Sequence, residues 1–138
     1  MKNNKLIIFS DGGSRGNPGP AACGAVLYNS QKEIIIRLAQ YIGKATNNQA
    51  EYRALIIGLE KAKKLKVQDI ICYLDSELVV KQLNREYRVK DKDLETLFVK
   101  IHNLTLGFKS VTFKHIRREK NKEADRLVNL ALDKVLKR

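Results

Sequence analysis

The chain has 138 residues, 43% hydrophobic and 30% charged, a balance that excludes wholesale disorder and predicts one soluble domain over residues 1–138. Its formal charge of +12 is spread along its length, with 11 basic against 5 acidic residues in 1–69 and 16 against 10 in 70–138, so it is no basic tail and points to a polyanion, most simply nucleic acid held through phosphates. No apolar run approaches the roughly 18 residues of a membrane span, and Leu6–Phe9 is too short for a signal-peptide core, so no membrane partner and a cytoplasmic location are expected.

In chain order, Lys5–Ser10 reads as a central strand, apolar on both faces, followed by a Gly/Pro-rich loop from Asp11 to Pro20. Ala22–Asn29 and Glu33–Gln40 flank a short polar turn and read as a hairpin, so the sheet begins antiparallel. Thr46 and Gln49 have the spacing of a helix cap and its reciprocal partner, opening a helix that runs to about Lys64. Gln68–Leu74 is a second buried strand, and a helix follows from about Ser76 to Asn84. Asp91–Leu104 carries a helical stripe, Lys109–His115 alternates as a strand, and Asn121–Leu136 closes the chain as an amphipathic helix. Strands first paired antiparallel, then alternating with helices, predict a layered α/β domain with a mixed sheet. Cys23 and Cys72 lie in apolar segments without C-x-x-C spacing and read as buried, reduced thiols.

Four acids stand where a basic protein has no structural use for them. Asp11 continues the Ile7, Phe9 side of the first strand by the period-two rule, and Asp75 ends the run Ile70–Leu74. Helical residues turn about 100° each, so Glu51 heads the stripe of Leu55, Gly58, Ala62 and Leu65, and Asp125 sits at the edge of the last helix's apolar face. Each has a bland reading: Glu51 and Asp125 solvated in early helical turns, Asp75 as a helix cap. Together they come from two strand ends and two helix starts, places that converge at one end of an α/β layer. Crowded carboxylates repel, and hard divalent cations relieve them. A two-cation clamp of this kind serves in-line displacement at phosphorus.

Gly12, Gly13, Gly16 and Gly19 let the first loop approach a ligand closely. Asn17, Asn47, Asn48 and Gln49 offer neutral donors and acceptors suited to a ribose 2′-OH. Ahead of Asp125, His115 and Arg118 are candidates to move protons or hold a scissile phosphate, with a merely solvated basic run as the alternative.

Read as blocks, Asp11-Gly-Gly-Ser…Gly16-Asn-Pro-Gly19, Thr46-Asn-Asn-Gln-Ala-Glu51, Leu74-Asp-Ser76 and His115…Asn121-Lys-Glu-Ala-Asp125 resemble, in order, the four signature segments of ribonuclease H type 1. The resemblance spans residues 6 to about 133. It implies the ribonuclease H-like fold, a five-stranded mixed sheet flanked by helices. It also implies endonucleolytic cleavage of the RNA strand of RNA–DNA hybrids, with two Mg²⁺ (Mn²⁺ as substitute), leaving 3′-hydroxyl and 5′-phosphate ends. Asp11, Glu51, Asp75 and Asp125 would hold the metal and catalyse; Gly12, Asn17, Thr46, Asn47, Asn48 and Gln49 would line the substrate groove. A monomer is expected. Two departures set the chain apart. The segment from Asp75 to Lys109 is too short, and too acidic around Asp91–Glu95, for the basic protrusion many bacterial members carry. The loop bearing the family's histidine reads His115-Ile-Arg-Arg118-Glu, as in a branch common in archaea and some bacteria, leaving the accessory role to His115, Arg118 or neither. Two other functions fit the same residues: a non-catalytic hybrid- or RNA-binding module, and a nuclease preferring double-stranded RNA or RNA–DNA junctions.

Overall fold

A computed structural model describes residues 5–136. Five strands, β1 (Lys5–Ser14), β2 (Gly19–Asn29), β3 (Ile34–Ala45), β4 (Asp69–Leu74) and β5 (Ser110–His115), form one sheet in the order β3-β2-β1-β4-β5. β1 pairs antiparallel with β2 and β2 with β3, while β4 runs parallel to both β1 and β5. The expected mixed sheet is therefore present. Four helices surround it: α1 (Asn47–Lys64), α2 (Glu77–Leu83), α3 (Lys92–Thr105) and α4 (Lys122–Leu136).

Local chemistry sets the helix starts. The Thr46 side chain accepts from the Gln49 N–H while Gln49 accepts from the Thr46 N–H, so the reciprocal cap is realised. Ser76 caps α2 and Asp91 caps α3. The main core lies between the sheet and α1, α2 and α3, built from Leu6, Ile8, Leu27, Tyr52, Leu55, Leu59, Ile70 and Leu74 among others. A smaller cluster of Ala22, Val128, Ala131 and Leu132 joins α4 to the opposite face. Both cysteines are buried and free.

Three expectations need correction. Residues 11–14 are not loop: β1 continues through Ser14, pairing Asp11–Ser14 with Ala21–Gly24, and β2 begins at Gly19. Nearly every residue in that ladder is small, which lets helices press on both faces. A Cβ on Gly12 would lie 2.2 Å from the Ala50 carbonyl carbon of α1, and one on Gly24 2.4 Å from the Ala124 oxygen of α4. β3 runs to Ala45 rather than Gln40, its pairing carried past a register shift opposite Ala21/Ala22 with Gly43 at φ +79°. Leu65 does not continue the buried stripe; it is the C-cap of α1 and 40% exposed. A short 3-10 turn, Arg118–Lys120, went unforeseen.

Candidate active site

The C-terminal ends of two parallel strands and the starts of two helices meet at one cleft. It is lined by Asp11, Gly12 and Gly13 of β1, Asn47, Asn48 and Glu51 of α1, Asp75 and Ser76 after β4, and Arg118, Asp125, Val128 and Asn129 toward α4. Carboxylate oxygens of Asp11, Glu51 and Asp75 all lie within 4.8 Å of one another. Asp125 stands at the exposed edge, close enough to raise the pKa of Asp11 through charge and a hydrogen bond. All four predicted acids are thus in one place, from elements far apart in sequence.

The bland readings fail for two of them. Glu51 is 7% exposed, so it is not a solvated first-turn acid, and the cap of α2 is Ser76, not Asp75. Asp125 is exposed, as its bland reading expected, yet it belongs to the cleft.

Burial and mutual repulsion dominate the electrostatics. Asp11 is pushed up to about 7, first by loss of solvent, then by the charge of Asp75. Glu51 is raised well above the usual carboxylate range by burial and then by Asp11 and Asp75, with the Arg118 guanidinium pulling the other way. The hydrogen bond between Asp11 and Glu51 lowers the former and raises the latter, so the two carboxyls titrate as a pair. Its Oε1 is buried without a hydrogen-bond partner among the described residues. An orphaned buried carboxylate oxygen within a ligand's reach of two other acids is expensive for a protein alone and natural for a hard divalent cation. The donor set fits such an ion.

Asn121 carries a role the sequence reading did not give it. It is 1% exposed, and its Nδ2 donates to the Ser10 carbonyl and to Asp75 Oδ2, both at 2.9 Å. It therefore ties the Asp75 carboxylate to the β1 backbone one residue before Asp11. An Asn four residues ahead of a suspected ligand, at a helix start, was the available signal. Arg15 also lines the cleft, pinned to α4 by Asp133 at 2.7 Å and Asn129 at 3.3 Å.

The remaining candidates divide. Arg118 reaches the cleft; His115, exposed at the end of β5 and paired with Leu74, is not among its lining residues. Gly12, Asn47 and Asn48 line it. Asn17 sits beside it, its Oδ1 accepting from the Asn47 N–H at 3.0 Å, while the Asn47 Oδ1 accepts from the Ser14 N–H. Thr46 and Gln49 are engaged with each other in the cap. Gly12 is required first for contact with α1, a packing reason rather than the ligand approach expected.

Comparisons with known proteins agree with this geometry. A family model described as reverse transcriptase-like matches residues 9–131. A bifunctional protein of Mycobacterium tuberculosis is 44% identical over 130 residues, covering 94% of this chain; the chain spans only 36% of that relative's length. The crystal structure of RNase H1 from the halophilic archaeon Halobacterium salinarum superposes with TM-score 0.92 at 44% identity, covering 94% of this chain and 98% of that one. LC11-RNase H1, solved in complex with an RNA/DNA hybrid, gives TM-score 0.91 at 41% identity, covering 95% and 99%.

Proposed function

This chain belongs to the ribonuclease H family, and we propose from that membership that it cuts the RNA strand of RNA–DNA hybrids endonucleolytically, leaving 3′-hydroxyl and 5′-phosphate ends. The observation that carries the reading is the meeting of Asp11, Glu51 and Asp75 within 4.8 Å, with Asp125 and Arg118 in the same cleft. A pure phosphate binder gains nothing from buried acids, which sets the non-catalytic module aside. Asp11, Glu51, Asp75 and Asp125 are the residues to hold two Mg²⁺ ions, with Mn²⁺ as a substitute. When bound, such ions supply charge stabilisation to the attacking and leaving oxygens of the displacement at phosphorus.

The chain's own residues do the rest. Asn121 fixes the orientation of Asp75 through its bond to Oδ2. Arg118, whose charge already acts on Glu51 within the same cleft, would take a non-bridging phosphate oxygen. Asn47 and Asn48 stand beside the acids at the start of α1, where amides and helix N–H groups suit ribose and phosphate oxygens. A 2′-OH then selects the RNA strand. Incubating an end-labelled hybrid with Mg²⁺, with and without chelator, tests this: internal cuts with 5′-phosphate ends are expected only without chelator. Binding without cleavage in both tubes would leave the non-catalytic module. Double-stranded RNA and an RNA–DNA junction duplex, assayed alongside, fix the substrate range.

A further inference from the structure

Helices α1, α2 and α3 share one face of the sheet, and among the described residues α4 alone lies on the other, over β3, β2 and part of β1. The α4 side of β4 and β5 is left bare. Register fixes what it displays: Phe9, Tyr73 and Lys114 form one row across β1, β4 and β5, and Ile7, Ile71 and Thr112 the next. Phe9 stacks on Tyr73 with centroids 4.9 Å apart and meets Tyr28 edge-on at 5.4 Å. All three rings are only half-buried. With Ile7, Asn121 and Ala124 they line a cavity of about 360 Å³ rimmed by Lys32 and Lys120. Lys32, Lys114 and Lys120 are exposed, and among the described residues none is in an ion pair. Glu123, the acid of this lining, is held by Arg37 at 2.7 Å and Arg126 at 2.8 Å.

Half-exposed aromatic rings on an open sheet, fringed by unpaired lysines, are the chemistry that holds single-stranded nucleic acid: ring faces and edges receive bases, cations receive phosphates. The surface is continuous with the cleft. Asn121 lines the cavity and bonds Asp75, while the turn from Arg118 to Lys120 carries positive charge from one to the other. We infer that this bare half of the sheet binds a single-stranded extension of the nucleic acid held in the cleft, with bases against Phe9, Tyr28 and Tyr73 and phosphates on Lys32, Lys114 and Lys120. The inference rests on the ribonuclease H reading of the cleft. Duplexes with overhangs are then preferred over blunt ones, and the strand is led away across Lys120.

Fluorescence anisotropy with Asp11→Asn protein, which spares the RNA, provides the test. Probes are a fluorescein-labelled blunt hybrid and the same hybrid with an overhang of about six nucleotides, 5′ or 3′, RNA or DNA. One or more overhang duplexes should bind at least roughly fivefold tighter than the blunt one, since a single stacked base is worth about fivefold or more. Tyr73→Ser combined with Lys114→Gln should erase that difference, with blunt-hybrid affinity, and blunt-hybrid cleavage in the Asp11 background, unchanged. Tyr73→Phe, which keeps the ring, should preserve it. Equal affinity for blunt and overhang probes, or an advantage that survives the double substitution, overturns the inference. A blunt hybrid neither bound nor cut counts against the reading of the cleft. The labelled single strand alone, titrated against parent and double variant, then decides the surface by itself: loss of affinity in the variant upholds it, and no difference sinks it.

Discussion

At the residue scale, the site is a set of acids that the fold holds against their mutual repulsion. Replacing Asp11 with Asn removes a ligand and keeps the shape, so cleavage should fall by several orders of magnitude, with the circular-dichroism melt unchanged or shifted upward. The raised pKa values carry a definite sign. Asp11 moves from an ordinary 3.8 to about 7, so the proton's stabilisation is fully present below pH 3.8 and is lost as pH rises through about 7. Glu51, raised by burial and by Asp11 and Asp75, acts in the same direction. Cation-free protein should therefore melt lower at about pH 8 than at about pH 5, and added Mn²⁺ should narrow the gap. Because ligands bind metal as carboxylates, calorimetry in buffers of differing ionisation enthalpy should register proton release on Mn²⁺ binding at about pH 7. No proton release there would mean the acids are already ionised and the burial reading is wrong. Asn121→Ala should weaken Mn²⁺ binding and lower kcat more than it raises KM, since the residue touches Asp75 and not the groove. An equal fall in metal affinity and melting temperature in every Asn121 variant, Asn121→Ser included, would reduce it to a packing residue.

At the scale of elements, the separation of β1 from α1 decides whether Asp11 and Glu51 can share a ligand. Gly12→Ala would set a Cβ 2.2 Å from the Ala50 backbone, which cannot yield without α1 moving. A loss of about 1–3 kcal/mol is expected, with weaker Mn²⁺ binding alongside it; a denaturant melt and a metal titration of the same variant check both. Thr46→Ala opens the reciprocal cap and should cost about 1 kcal/mol. What the sequence made legible follows from periodicity. Caps at Thr46 and the strand runs of β1 and β4 announce themselves through local chemistry, as did the four acids, each out of place on an apolar face. Residues 11–14 did not: glycines that read as a turn are here a ladder thinned for helix contact, a distinction only the partner strand reveals. Arg118 and His115 were equal on paper, and only the turn at Arg118–Lys120 brings one of them to the cleft. Asn121 was hidden because its partners, Ser10 and Asp75, lie 111 and 46 residues away.

At the scale of the whole molecule, charge governs encounter and the cleft governs chemistry. With +12 spread over both halves rather than on a protrusion, hybrid affinity should fall steeply with salt, with a slope of about one per phosphate neutralised, and should depend little on base sequence. Fluorescence titration of Asp11→Asn protein across salt concentrations measures it, and a flat profile would contradict phosphate-led binding. Arg37 and Arg126 hold Glu123 down to about 2, clamping α4 to β3, while Arg15 reaches Asp133 on the same helix. These ties matter because Asp125 rides on α4, whereas Asp11, Glu51 and Asp75 belong to the sheet and α1. Three of the acids therefore travel with the main core and the fourth with a separately anchored helix. Partial detachment of that helix would leave a protein that looks folded by most spectroscopic measures but would offer a divalent cation three carboxylates in place of four, so the tightness of Mn²⁺ capture in the proposed site would report on a docking step that bulk melting curves overlook.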